Sequence, residues 1–263
     1  MKIGVKSLLP LSLLWAFLLP LYMQAEEDGV KRGKSALAIK NQENFRRVKT
    51  ARAAKGGGID ALFGKIGLKY PPERVFLRIY KEEGELEVWA KEGQKAEFIY
   101  LKSYKVCAKS GKLGPKRRAG DLQVPEGFYE VILFNPWSSY RLSMKINYPN
   151  ASDRILGNKF ALGGEIFIHG KCVTIGCVPI GDDGIDELYI IALDTFKSGG
   201  RVNVHIFPMK MTDENRLKLA EVADGDEALL GFWENLREGF LFFETNRYVP
   251  KISVDKKGKY IFK

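Results

Sequence analysis

Ile168-His169-Gly170-Lys171-Cys172-Val173-Thr174-Ile175-Gly176-Cys177 is the stretch on which the reading of fold and chemistry turns. Ile166 to Ile168 is a short apolar run that reads as a strand, and it ends on His169, where an imidazole ring can be held rigidly. The chain has only two histidines and three cysteines, and one histidine and two cysteines fall between positions 169 and 177. Crowding of such scarce, reactive residue types points to a chemical site.

Cys177 is the candidate nucleophile. A thiol with an ordinary pKa near ~8.5 is only a few per cent thiolate at neutral pH. A neighbouring imidazole that takes the proton is expected to raise that fraction about 30-fold, or about 2 kcal/mol. The Gly176-Cys177 step offers backbone N–H groups with little steric cover, which suits an oxyanion hole, and Thr174 belongs to the same loop. Two other readings stand beside this one. Cys177 can be a small buried apolar residue, or His169, Cys172 and Cys177 can join Asp182, Asp183 or the distant His205 around zinc. The spacing H-x2-C-x4-C matches no common closed zinc framework, so neither a metal nor another cofactor is expected. His205 alternates with Val204 and Ile206 along a strand and reads as structural. Asp186 and Glu187 read as capping or solvating a helix rather than as a catalytic acid pair.

Outward from this stretch the chain is β-rich. Val75, Leu77 and Ile79 alternate with polar residues, followed by Leu86 and Val88, with Glu82-Glu83-Gly84 as a hairpin turn. Phe98, Tyr100 and Leu101, then Phe128 to Phe134, then Leu142, Met144 and Ile146, and later Val202, Val204 and Ile206 add further strands. Ile185, Leu188, Tyr189, Ala192 and Phe196 follow helical spacing, with Asp182 or Asp183 as N-cap and Gly199 past the end. Thr212 is placed to cap a helix through Ala223, and Ala228 to Phe243 reads as an amphipathic helix. The fold class expected is mainly β with helices added towards the C-terminus.

The N-terminus bears on location. Lys2 and Lys6 flank an apolar run from Leu8 to Met23, too short and too proline-marked for a comfortable membrane span but suited to a signal-peptide core. Residues 1–25 are therefore expected to be a signal peptide, cut near Ala25, with export to the periplasm or cell envelope. Membrane association is expected only if that segment stays uncleaved. Residues 26–72 are charged, contain Gly56-Gly57-Gly58, and read as a basic tether or peripheral helix. The net charge of +10 would ordinarily raise nucleic acid as a partner. With an export signal and no basic stripe interleaved with aromatics, none is expected, and anionic envelope polymers are the better match. In an oxidising compartment three cysteines cannot all pair. Cys107 with Cys172 leaves Cys177 reactive, while Cys172 with Cys177 makes a redox switch, and both pairings stay open.

The His-Gly-x-Cys-x-Thr-x-Gly-Cys form from His169 to Cys177 resembles the L,D-transpeptidase (YkuD-type) catalytic family, in its YafK-like branch. Gly114-Pro115-Lys116, Gly120-Asp121 and Pro125-Glu126-Gly127-Phe128-Tyr129 are similar to that family's opening segment. Asn135 to Tyr140, Leu142 and Asn147 to Asp153 are similar to its substrate-side segment. Phe207 to Thr212 and Phe232 to Leu236 resemble the branch's C-terminal extension. The resemblance implies an L,D-transpeptidase-like β-sandwich or barrel over residues 73–211 and a helical extension over 212–263. It implies a Cys177 nucleophile attacking a carbonyl of a peptidoglycan stem peptide, with His169 as base and then acid. The Gly170 carbonyl would orient the ring, and the Gly176 and Cys177 N–H groups would hold the oxyanion. Tyr140, Asn147, Tyr148 and Lys171 are the expected substrate contacts. The acyl group then passes to an amine, or to water as in an L,D-carboxypeptidase or an amidase releasing a wall-attached protein. A catalytically silent peptidoglycan-binding scaffold is the rival from another class. Ile175 stands where the usual family loop has histidine.

Overall fold

A computed structural model describes residues 41–93 and 96–263. The expected signal peptide and the first part of the expected tether lie outside the described residues. Ten strands are described. β1 (Arg74–Tyr80), β2 (Glu85–Lys91), β3 (Ile99–Lys105), β4 (Gly127–Asn135), β5 (Ser143–Ile146), β6 (Phe167–His169), β7 (Val178–Pro179) and β8 (Arg201–Phe207) form one sheet, in the order β3-β2-β1-β8-β4-β5-β6-β7. β9 (Ile252–Val254) and β10 (Tyr260–Phe262) make a separate hairpin. The sheet is mixed: β1 lies parallel to β8 and β6 parallel to β7, while the other neighbours run antiparallel.

The alternation in β1 predicts one buried face, yet every residue from Val75 to Tyr80 is buried. Val75, Leu77 and Ile79 enter the main core, while Phe76 and Tyr80 pack on the opposite face under the C-terminal helices. Arg78 sits on that second face too. Its guanidinium bonds Glu244 at 2.6 Å and lies 4.6 Å and 4.8 Å from the Phe240 and Phe243 ring centres. A cation is tolerated there because it is paired and faces aromatic rings.

Among the described residues, five α-helices flank the sheet: α1 (Arg46–Lys65), α2 (Ala151–Leu156), α3 (Gly181–Lys197), α4 (Asp213–Ala223) and α5 (Glu227–Asn246). α3 lies against the main core, with Ile185, Leu188, Tyr189, Ala192 and neighbours buried. Asp182 and Asp183 fall in its first turn rather than at the N-cap, which is Ile180. Thr212 does cap α4, accepting from the Asn215 N–H at 3.3 Å. The 212–263 extension holds α4 and α5 but also the β9–β10 hairpin, which short strands at the chain end did not announce.

α1 departs most from expectation. The glycine triplet does not end it, and no heavy atom lies within 4 Å of a Cβ built at Gly56, Gly57 or Gly58. Val48, Ala51, Ile59 and Phe63 are buried in the main core, and Arg52 grips Asp194 of α3 through two bonds of 2.8 and 2.6 Å. The residues expected as a basic tether or peripheral helix thus form a helix over 46–65, and from position 42 on they pack against the domain. Glu126 ties the other side together. Fully buried, it accepts from Lys81 Nζ at 2.8 Å, the Gly114 N–H at 2.7 Å and Trp233 Nε1 at 2.7 Å. One carboxylate thereby joins the end of β1, the strap over 113–126 and helix α5.

Candidate active site

The site forms where the sheet ends. β6 and β7 run parallel with Ile168 opposite Val178 and His169 opposite Pro179. Continuing the register sets Cys177 beside Phe167, so Cys177, Phe167 and His169 share one face. Ile168 and Val178 turn to the other face and are buried in the core. His169 and Cys177 line one groove of ≈ 490 Å³ with Ser143, Glu165, Phe167, Tyr140 and the loop residues Val173, Thr174 and Ile175. Cys177 also borders a smaller hollow of ≈ 100 Å³ on its other side, whose wall includes Lys81, Lys109 and Lys112.

Cys107 and Cys172 form a disulfide, and Cys177 is the free thiol. The open choice of pairings is thereby closed, and Cys172 is removed from any zinc ligand set. The bridge also ties the loop after β6 to the segment following β3.

His169 is almost fully buried, and its Nδ1 lies 2.5 Å from the Gly170 carbonyl oxygen. A carbonyl can only accept, so Nδ1 carries the proton and Nε2 is left as the basic nitrogen. The Tyr140 ring covers the imidazole at 4.7 Å between centroids. Gly170 is held in turn: its N–H donates to the carbonyls of Tyr140 at 3.0 Å and Leu142 at 3.3 Å. A Cβ there would come within 2.6 Å of Asp182 Oδ1, 2.7 Å of Arg141 Cβ and 2.8 Å of the Tyr140 oxygen, so only glycine fits.

Burial pushes the His169 pKa down, partly opposed by its bond to the Gly170 carbonyl. Burial pushes the Cys177 thiol up, and the Phe167 N–H only partly offsets this. Both shifts favour neutral partners, the reverse of the thiolate–imidazolium pair expected from proximity alone. The Cys177 Sγ instead points its S–H at the Glu165 carbonyl, 3.7 Å away.

Thr174 shapes the loop before Cys177. Its hydroxyl donates to the Cys177 carbonyl at 2.8 Å and accepts from the Gly176 N–H at 3.0 Å. The Gly176 N–H expected to serve an oxyanion is therefore already committed to the Thr174 hydroxyl. Gly176 has φ +137°, and a Cβ would lie 3.0 Å from the Gln123 oxygen, so glycine is required there as well.

Of the expected substrate contacts, Tyr140 alone lines the groove. Asn147 uses its Oδ1 to accept from the Glu130 N–H at 3.0 Å, on a different face of the sheet end. Tyr148 is buried, its hydroxyl bonded to the Leu162 carbonyl at 3.2 Å. Lys171 lies outside the groove in a left-handed conformation (φ +56°), and its N–H bonds Asp182 Oδ1 at 2.8 Å. Neighbours in sequence pattern need not share a face, and these three do not line the groove. Asp186 and Glu187 neither cap nor solvate α3. Asp186 takes two bonds from Arg141, at 2.9 and 2.7 Å, and Glu187 accepts from Lys102 and Tyr104. Trp137 and Ser138 line the groove and fall within the Asn135 to Tyr140 segment that the resemblance marks as substrate-side, whereas Arg141, just beyond it, was not singled out. Their role depends on backbone contacts from distant helices, which leave no local pattern.

His205 is on β8 in the middle of the sheet, packed edge-on against Phe76 at 4.4 Å and Phe128 at 4.6 Å. It lines neither hollow beside Cys177.

The chain is also similar to known proteins. The L,D-transpeptidase catalytic domain (YkuD) model matches residues 75–204. The L,D-transpeptidase-type protein YafK of Escherichia coli (strain K12) is 40% identical over 192 residues, covering 71% of this chain and 73% of that protein. Among solved structures, the helical cell shape determining protein Pgp2 of Campylobacter jejuni aligns at 20% identity and a TM-score of 0.44, over 75% of this chain and 80% of its own. Bd1075 of Bdellovibrio bacteriovorus aligns at 22% identity and a TM-score of 0.38, over 66% of this chain and 64% of its own. The free thiol and buried imidazole therefore sit in an enzyme of known kind: the chain belongs to the L,D-transpeptidase (YkuD) family.

Proposed function

We propose that the protein is an exported cysteine L,D-transpeptidase-type enzyme that acts on peptidoglycan stem peptides through an acyl-enzyme on Cys177. The observation that carries this reading is the shared groove: the free thiol, one residue before β7, and the buried imidazole at the end of the neighbouring β6 both line it. The other two cysteines are tied to each other. The family acts on peptidoglycan, whose stem peptides carry the carbonyls such a thiol attacks. Export is supported by the Lys2/Lys6 flank and Leu8–Met23 run, and by a disulfide of the kind that persists in oxidising compartments.

The chemistry follows from neutral partners. As Cys177 Sγ attacks a stem-peptide carbonyl, its proton moves to Nε2 of His169, and negative charge develops on the carbonyl oxygen near the Cys177 N–H. His169 then returns that proton to the departing amine, and the C–N bond breaks, leaving a thioester. An incoming amine or water attacks the thioester, His169 takes its proton, and Sγ leaves and is reprotonated. A resting neutral pair means that thiol deprotonation is coupled to attack instead of preceding it.

Hydrolysis is the second reading, and the loop favours it. Val173 and Ile175 are 54% and 77% exposed where they line the groove, giving the loop before Cys177 an apolar lip. Positioning an acceptor is worth roughly 7–11 kcal/mol of effective concentration, so an apolar lip leaves water competitive. Incubation with defined tetrapeptide muropeptides, with and without an added D-amino acid, tests both readings by mass spectrometry. Trimmed stems are expected beside exchanged ones. Exchange without any trimming would remove the hydrolytic arm, and inertness towards every muropeptide would remove the substrate class.

A further inference from the structure

The wall of the groove opposite Cys177 is the loop from Asn135 to Leu142, and helix α1 reaches across to hold it. Arg47 Nη1 donates to the Ser138 carbonyl at 2.5 Å and to the Arg141 carbonyl at 2.8 Å, gripping the backbone on both sides of Tyr140. Two residues earlier, the Phe45 ring packs edge-on against Trp137 at 4.1 Å. Gln42 Nε2 donates to the Phe134 carbonyl at 3.2 Å, and its Oε1 accepts from the Tyr189 hydroxyl at 2.6 Å. Three successive contacts from 42 to 47 thus clamp the start, middle and end of the loop.

The loop leads directly to the imidazole. The Tyr140 carbonyl accepts from the Gly170 N–H, and the Gly170 carbonyl accepts from His169 Nδ1. We propose that Arg47 is a positioning residue of the active site. Through the Ser138 and Arg141 carbonyls it fixes Tyr140, and with it the groove wall that orients the substrate acyl group. α1 is thereby a working part of the site. The proposal rests on the reading of this groove as the place where stem peptides bind.

One guanidinium donor group serves two carbonyls, and a charged donor bonds more strongly than a neutral one. Alanine at 47 frees both carbonyls and lets Tyr140 move. Lysine, with its single point of charge, restores one bond and part of the order. Arg52→Ala is the comparison, because Arg52 anchors the same helix to Asp194 without touching the loop.

The full chain is tested in two ways. Steady-state kinetics on a tetrapeptide muropeptide should show KM raised about tenfold in Arg47→Ala, with kcat per titrated thiol changed much less. Arg47→Lys should fall between, and Arg52→Ala should lower the melting temperature without moving KM. Amide exchange followed by mass spectrometry should show faster exchange at 138–142 and Gly170 in Arg47→Ala, an intermediate rise in Arg47→Lys and none in Arg52→Ala. Unchanged exchange there, or faster exchange with an unmoved KM, overturns the positioning role. If the wild-type protein acts on no muropeptide, the functional reading fails by itself, and the exchange data alone decide whether Arg47 orders the wall.

Discussion

The chain's two histidines occupy two ends of one physical situation. His169 and His205 each lie on a strand of the same sheet, each almost fully buried, and burial depresses the pKa of both. His205 sits at the sheet's centre, walled by Phe76 and Phe128, with Nδ1 lacking any partner among the described residues. His169 sits near the sheet's edge, where its Nδ1 is bound by the Gly170 carbonyl and a free thiol shares its groove. Burial alone therefore makes an imidazole neutral. Chemistry needs the further step of fixing which nitrogen is basic and leaving a reactant within reach.

The hardest test of this contrast removes the reactant. Cys177→Ala is expected to abolish turnover of muropeptides while circular dichroism and melting remain near wild type, because the thiol is only half-buried. Wild-type rates in that folded variant would break the assignment outright. The histidines come next. His169→Ala should slow acylation by roughly 10²–10⁴-fold, the range of a positioned acid–base group. His205→Ala should leave the rate per folded molecule within about threefold yet lower stability by about 2–4 kcal/mol, through the cavity left among phenylalanines. Chemical denaturation with parallel rate measurements separates the two. Reversed phenotypes would mean that the wrong histidine was placed at the site.

A pH titration of the thiol sharpens the same point. Because burial raises Cys177 and lowers His169, alkylation by iodoacetamide should climb steadily with pH and inflect above the range of an ordinary cysteine. A thiolate–imidazolium pair would instead give a plateau across neutral pH. Turnover behaves differently, since it needs neutral His169. It should persist down to pH values below the ordinary imidazole range and fall only as His169 takes up a proton.

The edge of the sheet was more legible in the sequence than its surroundings. His169, Gly170, Thr174, Gly176 and Cys177 form a contiguous pattern, and the constraints on them are local: a strand end, two glycines without room for a side chain, and a hydroxyl closing a turn. The strands were legible from alternation, although both faces of β1 are buried because α5 covers the second one. α1 was not legible as part of the domain. Its apolar positions are few, three glycines interrupt it, and much of its attachment is made by Arg47 and Arg52 to partners more than ninety residues away. Asn147, Tyr148 and Lys171 were misplaced for the complementary reason. The Asn147 and Tyr148 side chains suited a substrate, but the fold spends them on backbone partners, while Lys171 is held outside the groove by its own backbone N–H on Asp182.

The smallest effect expected is also the most discriminating, and it applies one substitution at both histidines. Phenylalanine at 169 keeps an aromatic ring but removes the basic nitrogen, so turnover should be lost as in His169→Ala. At 205 it removes a buried nitrogen without a partner, a gain of about 1–3 kcal/mol, and adds volume to a packed nest, a cost of similar size. The two should nearly cancel, leaving activity and neutral-pH stability close to wild type. Acid then reveals the difference. A folded pKa below the unfolded one means that the unfolded chain binds the extra proton first, so proton uptake at His205 costs nothing above about pH 6.5 and destabilises the protein increasingly as pH falls below it. His205→Phe should therefore flatten the fall in melting temperature between about pH 7 and pH 5, measured by scanning calorimetry against wild type. An unaltered slope would show that the ring at 205 is not the neutral, desolvated base that its phenylalanine walls imply, and the contrast between the two histidines would lose its physical basis.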